Sequence, residues 1–126
     1  MALPYKLVQR FNPSDRSQPP KYYAQAVSKG HTNLRSLSNR IAQISTVSSV
    51  DTVACMEGFI QVVPEEIAEG NIIKMGDFGS FYLTLQSEGA ETEEGFSNGN
   101  IKRYSIHFRP GKIFKNVLSN AGYKKE

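Results

Sequence analysis

Apolar and polar residues alternate along Tyr5-Lys6-Leu7-Val8-Gln9-Arg10-Phe11, a period-two pattern that predicts a strand. Asn12 to Pro20 places Pro13, Pro19 and Pro20 among Asn, Ser and Asp residues. Prolines fix φ and the short polar side chains bond their own backbone, so this is a loop. Lys21 to Val27 then predicts the returning strand of a β-hairpin that occupies residues 1–30. The period next lengthens. Leu34, Leu37, Ile41 and Ile44 fall on one helical stripe within Thr32–Ile44, with Thr32 as the expected N-cap and Arg35 and Arg40 outside the stripe. Ser48, followed three residues later by Asp51, predicts a capped start for a second helix. Its apolar face, Val50, Val53, Ala54, Phe59, Ile60 and Val63, is wider than one short helix needs and predicts packing against a second subunit. Pro64 is expected to kink or restart this helix, and Gly70-Asn71 to end it.

Ile72 to Met75 predicts a short strand. Two glycines then bracket an aromatic in Gly76-Asp77-Phe78-Gly79, which predicts a tight turn into a strand over Phe81–Gln86. Ser87 to Asn100 is rich in glycine and acid and holds the tip of a hairpin that returns over Ile101–Phe108. Pro110-Gly111-Lys112 opens the last helix, Gly111–Ala121, with Ile113, Phe114, Val117 and Leu118 on its apolar side. Lys124 and Lys125 are expected in a frayed tail. The fold class is α+β.

Composition narrows the function. The chain has 126 residues, 39% of them hydrophobic and none tryptophan, so one lean core is expected that dimerisation would complete. Cys55, the only cysteine, excludes an internal disulfide, fits a reducing compartment and is expected as a small core residue. No apolar run reaches the roughly 18 residues of a membrane span, and Met1 to Lys6 lacks a signal pattern, so a cytoplasmic protein is the expectation. His31 and His107 are too far apart for a metal-site spacing, the acids at 88–94 lack a calcium-loop pattern, and no nucleophile–base pair or phosphate loop appears. No enzyme activity, cofactor, metal or small-molecule substrate is therefore expected. Charge is segregated. Residues 1–50 carry seven Lys/Arg and one acid, residues 51–100 one lysine and ten acids, and residues 101–126 seven Lys/Arg and one acid. Basic ends of this kind are either a surface for phosphate backbones or ordinary solvated charge, and charge alone favours the second slightly.

The stretch Asn71 to Phe81, taken with Phe108 to Lys115, resembles the two arm junctions of the HU and integration-host-factor family of histone-like DNA-binding proteins. The resemblance covers about residues 31–121. With the N-terminal hairpin and Ser87 to Glu94, the chain is most similar to the HU-related proteins common in Bacteroides and its relatives. It implies an HU-like domain over 31–126, namely two helices, a three-stranded antiparallel sheet with an extended β-arm and a closing helix, in an intertwined homodimer. It further implies a nucleoid-associated architectural protein that binds double-stranded DNA with low sequence specificity, its arms reaching into the minor groove.

The sequence departs from that family at the arm. The tip proline is missing, Gly95-Phe96-Ser97-Asn98-Gly99-Asn100 has no basic residue, and Thr84 and Gln86 stand where relatives carry cations. Glu88, Glu91, Glu93 and Glu94 would repel phosphate. The expected DNA contacts are therefore Lys102, Arg103, Arg109, Gly111, Lys112 and Lys115 near the arm base, extended by Arg35 and Arg40 on the first helix. Phe96 is the candidate arm-tip wedge, or else a turn residue. The alternative function is an HU-fold interaction module whose acidic arms have lost DNA wrapping. The N-terminal hairpin is expected to add strands to the sheet and cover its open edge.

Overall fold

The computed structural model describes residues 1–126 and divides into two units, 1–33 with 116–126, and 34–115. In the first unit, β1 (Ala2–Arg10) and β2 (Lys21–Ala26) form the expected antiparallel hairpin, with Tyr5 opposite Ala26 and Arg10 opposite Lys21. Its loop is held as its composition predicts: Asn12 Oδ1 accepts from the Ser14 N–H and Asp15 Oδ1 from the Ser17 N–H, each at 3.0 Å. The Ser17 hydroxyl and N–H together hold the exposed Asp15 carboxyl below its ordinary pKa.

The C-terminal tail is not frayed. Gly122–Lys125 forms β6, which pairs in parallel with β1, Ala2 against Gly122 and Tyr5 against Lys125. The Gly122 N–H donates to Met1 O at 3.0 Å and the Glu126 N–H to Tyr5 O at 2.9 Å. The resulting sheet, in order β2-β1-β6, is separate from the arm sheet β3-β4-β5, so the hairpin adds no strands to the latter. The free edge of β1 supplied the partner that a four-residue tail lacks by itself.

In the second unit, α1 (Leu34–Gln43) packs on α2 (Ser49–Ala68). Because α1 starts at Leu34, the N-cap position falls on Asn33 rather than Thr32. Ser48 caps α2 as expected, its hydroxyl accepting from the Asp51 N–H at 3.1 Å. Pro64 does not break or restart α2, which continues through it as one helix of 20 residues. Proline's fixed φ suits a helix, and the carbonyl it orphans belongs to Ile60, which is half exposed and can be solvated. The helix ends where expected: Gly70 has φ +95°, its N–H donates to Ile67 O, and the Asn71 N–H donates to Glu66 O. These paired bonds form a glycine C-terminal cap.

β3 (Ile73–Lys74), β4 (Gly79–Ser87) and β5 (Ile101–Pro110) form the antiparallel arm sheet, and α3 (Lys112–Asn120) follows. Ladder pairing ends at Ser87 opposite Ile101 after an irregularity at Gln86, leaving residues 88–100 as the tip. Burial is sparse. Ile67 is the only buried hydrophobic side chain, and the other buried residues are Ser38, Thr52 and Gly79. Cys55 is exposed in the single chain rather than in a core, because nothing in the chain covers that part of α2.

Candidate nucleic-acid interface

The two junctions that frame the arm are locked together. Gly76 and Gly79, at φ +58° and +143°, bracket one 3-10 turn over Gly76–Phe78, and the Met75 N–H donates to Gly79 O at 2.9 Å. Across from it, the Gly111 N–H donates to Phe78 O at 2.9 Å. Neither Gly79 nor Gly111 has room for a side chain: a Cβ on the first would overlap Arg109 O and the Phe108 ring, and on the second Asp77 O. Phe78, Phe81, Phe108 and Phe114 pack around this point with ring centroids 4.7 to 5.5 Å apart. The close approach of two backbones lets four rings share one cluster.

That cluster fixes which way the arm sheet faces. Strand alternation puts Phe81, Leu83 and Leu85 on one side, opposite Phe108, Ile106 and Tyr104. The other side carries Ser80, Tyr82, Thr84 and Gln86 opposite Arg109, His107, Ser105 and Arg103, with Lys74 beside Ser80. This polar face holds Lys74, Arg103 and Arg109 and no carboxylate. Its side chains are ordered by one another. The Arg109 guanidinium lies 5.7 Å from the centre of the Tyr82 ring, which stacks on His107 at 5.1 Å and 21°. His107 Nε2 lies 2.9 Å from the Thr84 hydroxyl, and Arg103 Nε donates to Gln86 Oε1. Ile72, Lys74, Ser80, Tyr82 and Arg109 line a shallow cleft of about 240 Å³. A cation stacked on an aromatic keeps its outward N–H groups available to an anion.

Of the residues singled out in the sequence, the structure brings Arg103 and Arg109 onto this face and separates the others from it. Lys102, beside the ladder irregularity, donates to Gly99 O at 3.2 Å and lies 3.6 Å from the Glu88 carboxylate, so its charge is partly spent on the tip. The Gly111 N–H is committed to Phe78, so Gly111 serves the junction and offers no free donor. Phe114 draws the first turn of α3 to the apolar side of the sheet, and exposed Lys112 and Lys115 go with it. Arg35 and Arg40 lie on α1, which packs on α2. Phe96 is 42% exposed in a tip fixed by local bonds: its N–H donates to Glu93 O, and Ser97 and Asn100 cap each other. Lys74, Tyr82 and His107 were missed. Counting back by twos from Arg109 finds His107, but Tyr82 and Lys74 need the cross-strand register.

Two helices leading through a short strand and a glycine–phenylalanine turn into a two-stranded arm, closed by a third helix, define an HU-type protein. The chain belongs to the family described as an HU domain fused to wHTH, Ig or glycine-rich motif, whose model matches residues 1–125. Among solved structures it is similar to a Bacteroides vulgatus ATCC 8482 protein named "putative bacterial DNA binding protein" (TM-score 0.68, 12% identity), covering 98% of this chain and 48% of that one. The chain thus spans about half the length of that relative. It is also similar to HU from Anabaena, in a cocrystal with DNA (TM-score 0.55, 18% identity), covering 71% of this chain and 99% of that one. No curated protein matches the sequence.

Proposed function

We propose that the chain is a non-enzymatic architectural protein that binds duplex DNA with low sequence specificity, as a homodimer, chiefly through phosphate contacts. The observation that carries the reading is the arm-sheet face on which Lys74, Arg103 and Arg109 stand with no acid among them. Such a face suits phosphate oxygens, which carry no base identity, so sequence preference is weak. Lys112, Lys115, Arg35 and Arg40 extend the footprint, and Lys102 adds to it when its link to Glu88 opens. Phe96, half exposed at the tip, is the one apolar group placed to wedge a base step.

The dimer follows from what a single chain leaves uncovered. With Ile67 its only buried hydrophobic, the chain exposes Ile60 and Val62 on α2 and Leu85, Tyr104 and Ile106 on the apolar side of the arm sheet. A second copy presents the same surfaces and covers them by twofold symmetry. A second reading rests on the tip, where Glu91, Glu93 and Glu94 have no cationic partner: there the acidic arm docks a basic protein instead of DNA.

The test is a titration of short mixed-sequence duplex at several salt concentrations, repeated with Lys74→Ala/Arg109→Ala and with Lys112→Ala/Lys115→Ala. We expect log affinity to fall linearly with log salt, and the slope to shrink by about 0.9 for each phosphate that a variant no longer neutralises. Undetectable binding at the lowest salt would overturn the reading in favour of the protein-docking one.

A further inference from the structure

The N-terminal sheet lies outside the arm and its junctions, and it too is two-faced. Leu3, Tyr5, Leu7, Ala24, Ala26 and Tyr123 line an apolar groove on one side. Alternation and register place Lys6, Arg10, Lys21 and Lys124 on the other, with Val8, Tyr23 and Gln25. All four cations are exposed, and none has a carboxylate partner, since the single ion pair of the structure is Lys102 with Glu88. Arg10 and Lys21 are direct cross-strand partners. Like charges set opposite each other destabilise a sheet. They also stand at the mouth of an open cleft of about 600 Å³, with Tyr23, Pro13 and Pro19 on its walls. Pro4 and Lys124 pair near one end of β1 and Arg10 and Lys21 pair at the other, so the cations span about 20 Å of strand, comparable with a run of about six phosphates along one DNA strand.

We propose that this cationic sheet face is a second duplex-DNA contact surface, in which Lys6, Arg10, Lys21 and Lys124 bind backbone phosphates. A polyanion relieves the Arg10–Lys21 repulsion that nothing in the chain neutralises, and exposed cations without carboxylate partners suit backbone phosphates. The inference rests on the DNA-binding reading above, and it adds a surface that HU-type arms do not supply.

The test uses the full chain with Lys6→Gln, Arg10→Gln, Lys21→Gln and Lys124→Gln combined, titrated with the same duplex between about 50 and 200 mM salt. The expected result is weaker binding and a salt slope reduced by up to about 3.6, since each of the four cations releases its counterions from one phosphate. A second variant, Arg10→Glu, places opposite charges across the strands. It is expected to raise the melting temperature at low salt while weakening DNA binding, a divergence that a purely structural role would not produce. If the parent binds duplex and the quadruple variant matches it in affinity and slope, the inference is overturned, while the Lys74→Ala/Arg109→Ala result still judges the DNA reading by itself. If the parent fails to bind at all, both fall. A quadruple variant that loses binding to phosphatidylserine vesicles while its duplex binding is unchanged assigns the face to a membrane surface and also overturns it.

Discussion

Single residues hold the arm at its root. Gly79 needs φ +143°, and a side chain there would meet the Phe108 ring at 2.8 Å. Gly111 has an ordinary φ but no space, because the Asp77 carbonyl occupies the position of a Cβ. The two cases therefore fail differently when changed to alanine, one through backbone strain plus overlap and the other through overlap alone. Gly79→Ala and Gly111→Ala are each expected to cost about 2–4 kcal/mol in chemical denaturation. Gly76→Ala, with open space around it but φ +58°, should cost only about 1 kcal/mol. Equal losses at the three positions would show that the close approach of the two junctions is not what makes glycine necessary. Gly76 and Gly79 were legible in the sequence because they bracket Asp77 and Phe78 at an expected turn, and Gly111 because it follows Pro110 where a helix opens. The role of Gly111 was not, since its N–H is taken by a residue 33 positions away and no local pattern reports such a partner.

Among the elements, α2 shows where local rules and the fold part. A proline in a helix interior predicts a break, yet Ser49–Ala68 is continuous. The predicted kink treats the orphaned carbonyl as a fatal loss, whereas here Ile60 and Pro64 are exposed enough for water to take it. The loss is still real, so Pro64→Ala should stabilise the protein by about 1–3 kcal/mol in urea, with no change in DNA affinity. No gain would mean that Pro64 sits without helical strain. Strands β1 and β4 were legible from alternation, and the limit of the arm at Ser87 from the glycine- and acid-rich run that begins there. The polar face was only half legible. Arg103 and Arg109 carry their charge in plain view, but the arrangement of Tyr82 and His107 beside Arg109 depends on the β4–β5 register, and the place of Lys74 on the β3–β4 register. Strand β6 was invisible for the same reason: a four-residue tail has no strand signal of its own until the edge of β1 is offered to it.

At the scale of the whole molecule, the decisive quantity is how little one chain buries. With 126 residues and one buried hydrophobic side chain, the monomer falls well short of the interior expected for its length. Its melting temperature is therefore expected to rise with protein concentration, and sedimentation should give twice the 14.0 kDa chain mass. A concentration-independent transition at the monomer mass would remove the homodimer from the proposed function and leave the apolar faces of α2 and the arm sheet without an occupant. The sequence hinted at this through the width of the apolar face on α2. It could not show that the apolar side of the arm would be bare as well.

The pairing of β1 with β6 has a consequence in time. Residues 2 and 122 are neighbours in a sheet but stand 120 positions apart in the sequence. During synthesis the β1–β2 hairpin emerges before β6, and it must wait as a two-stranded ribbon until residue 125 has been made. Such a ribbon is marginally stable in water, and closing so long a loop is slow. This sheet is therefore completed only after the helices and the arm have been made, and its apolar groove lacks Tyr123 until then.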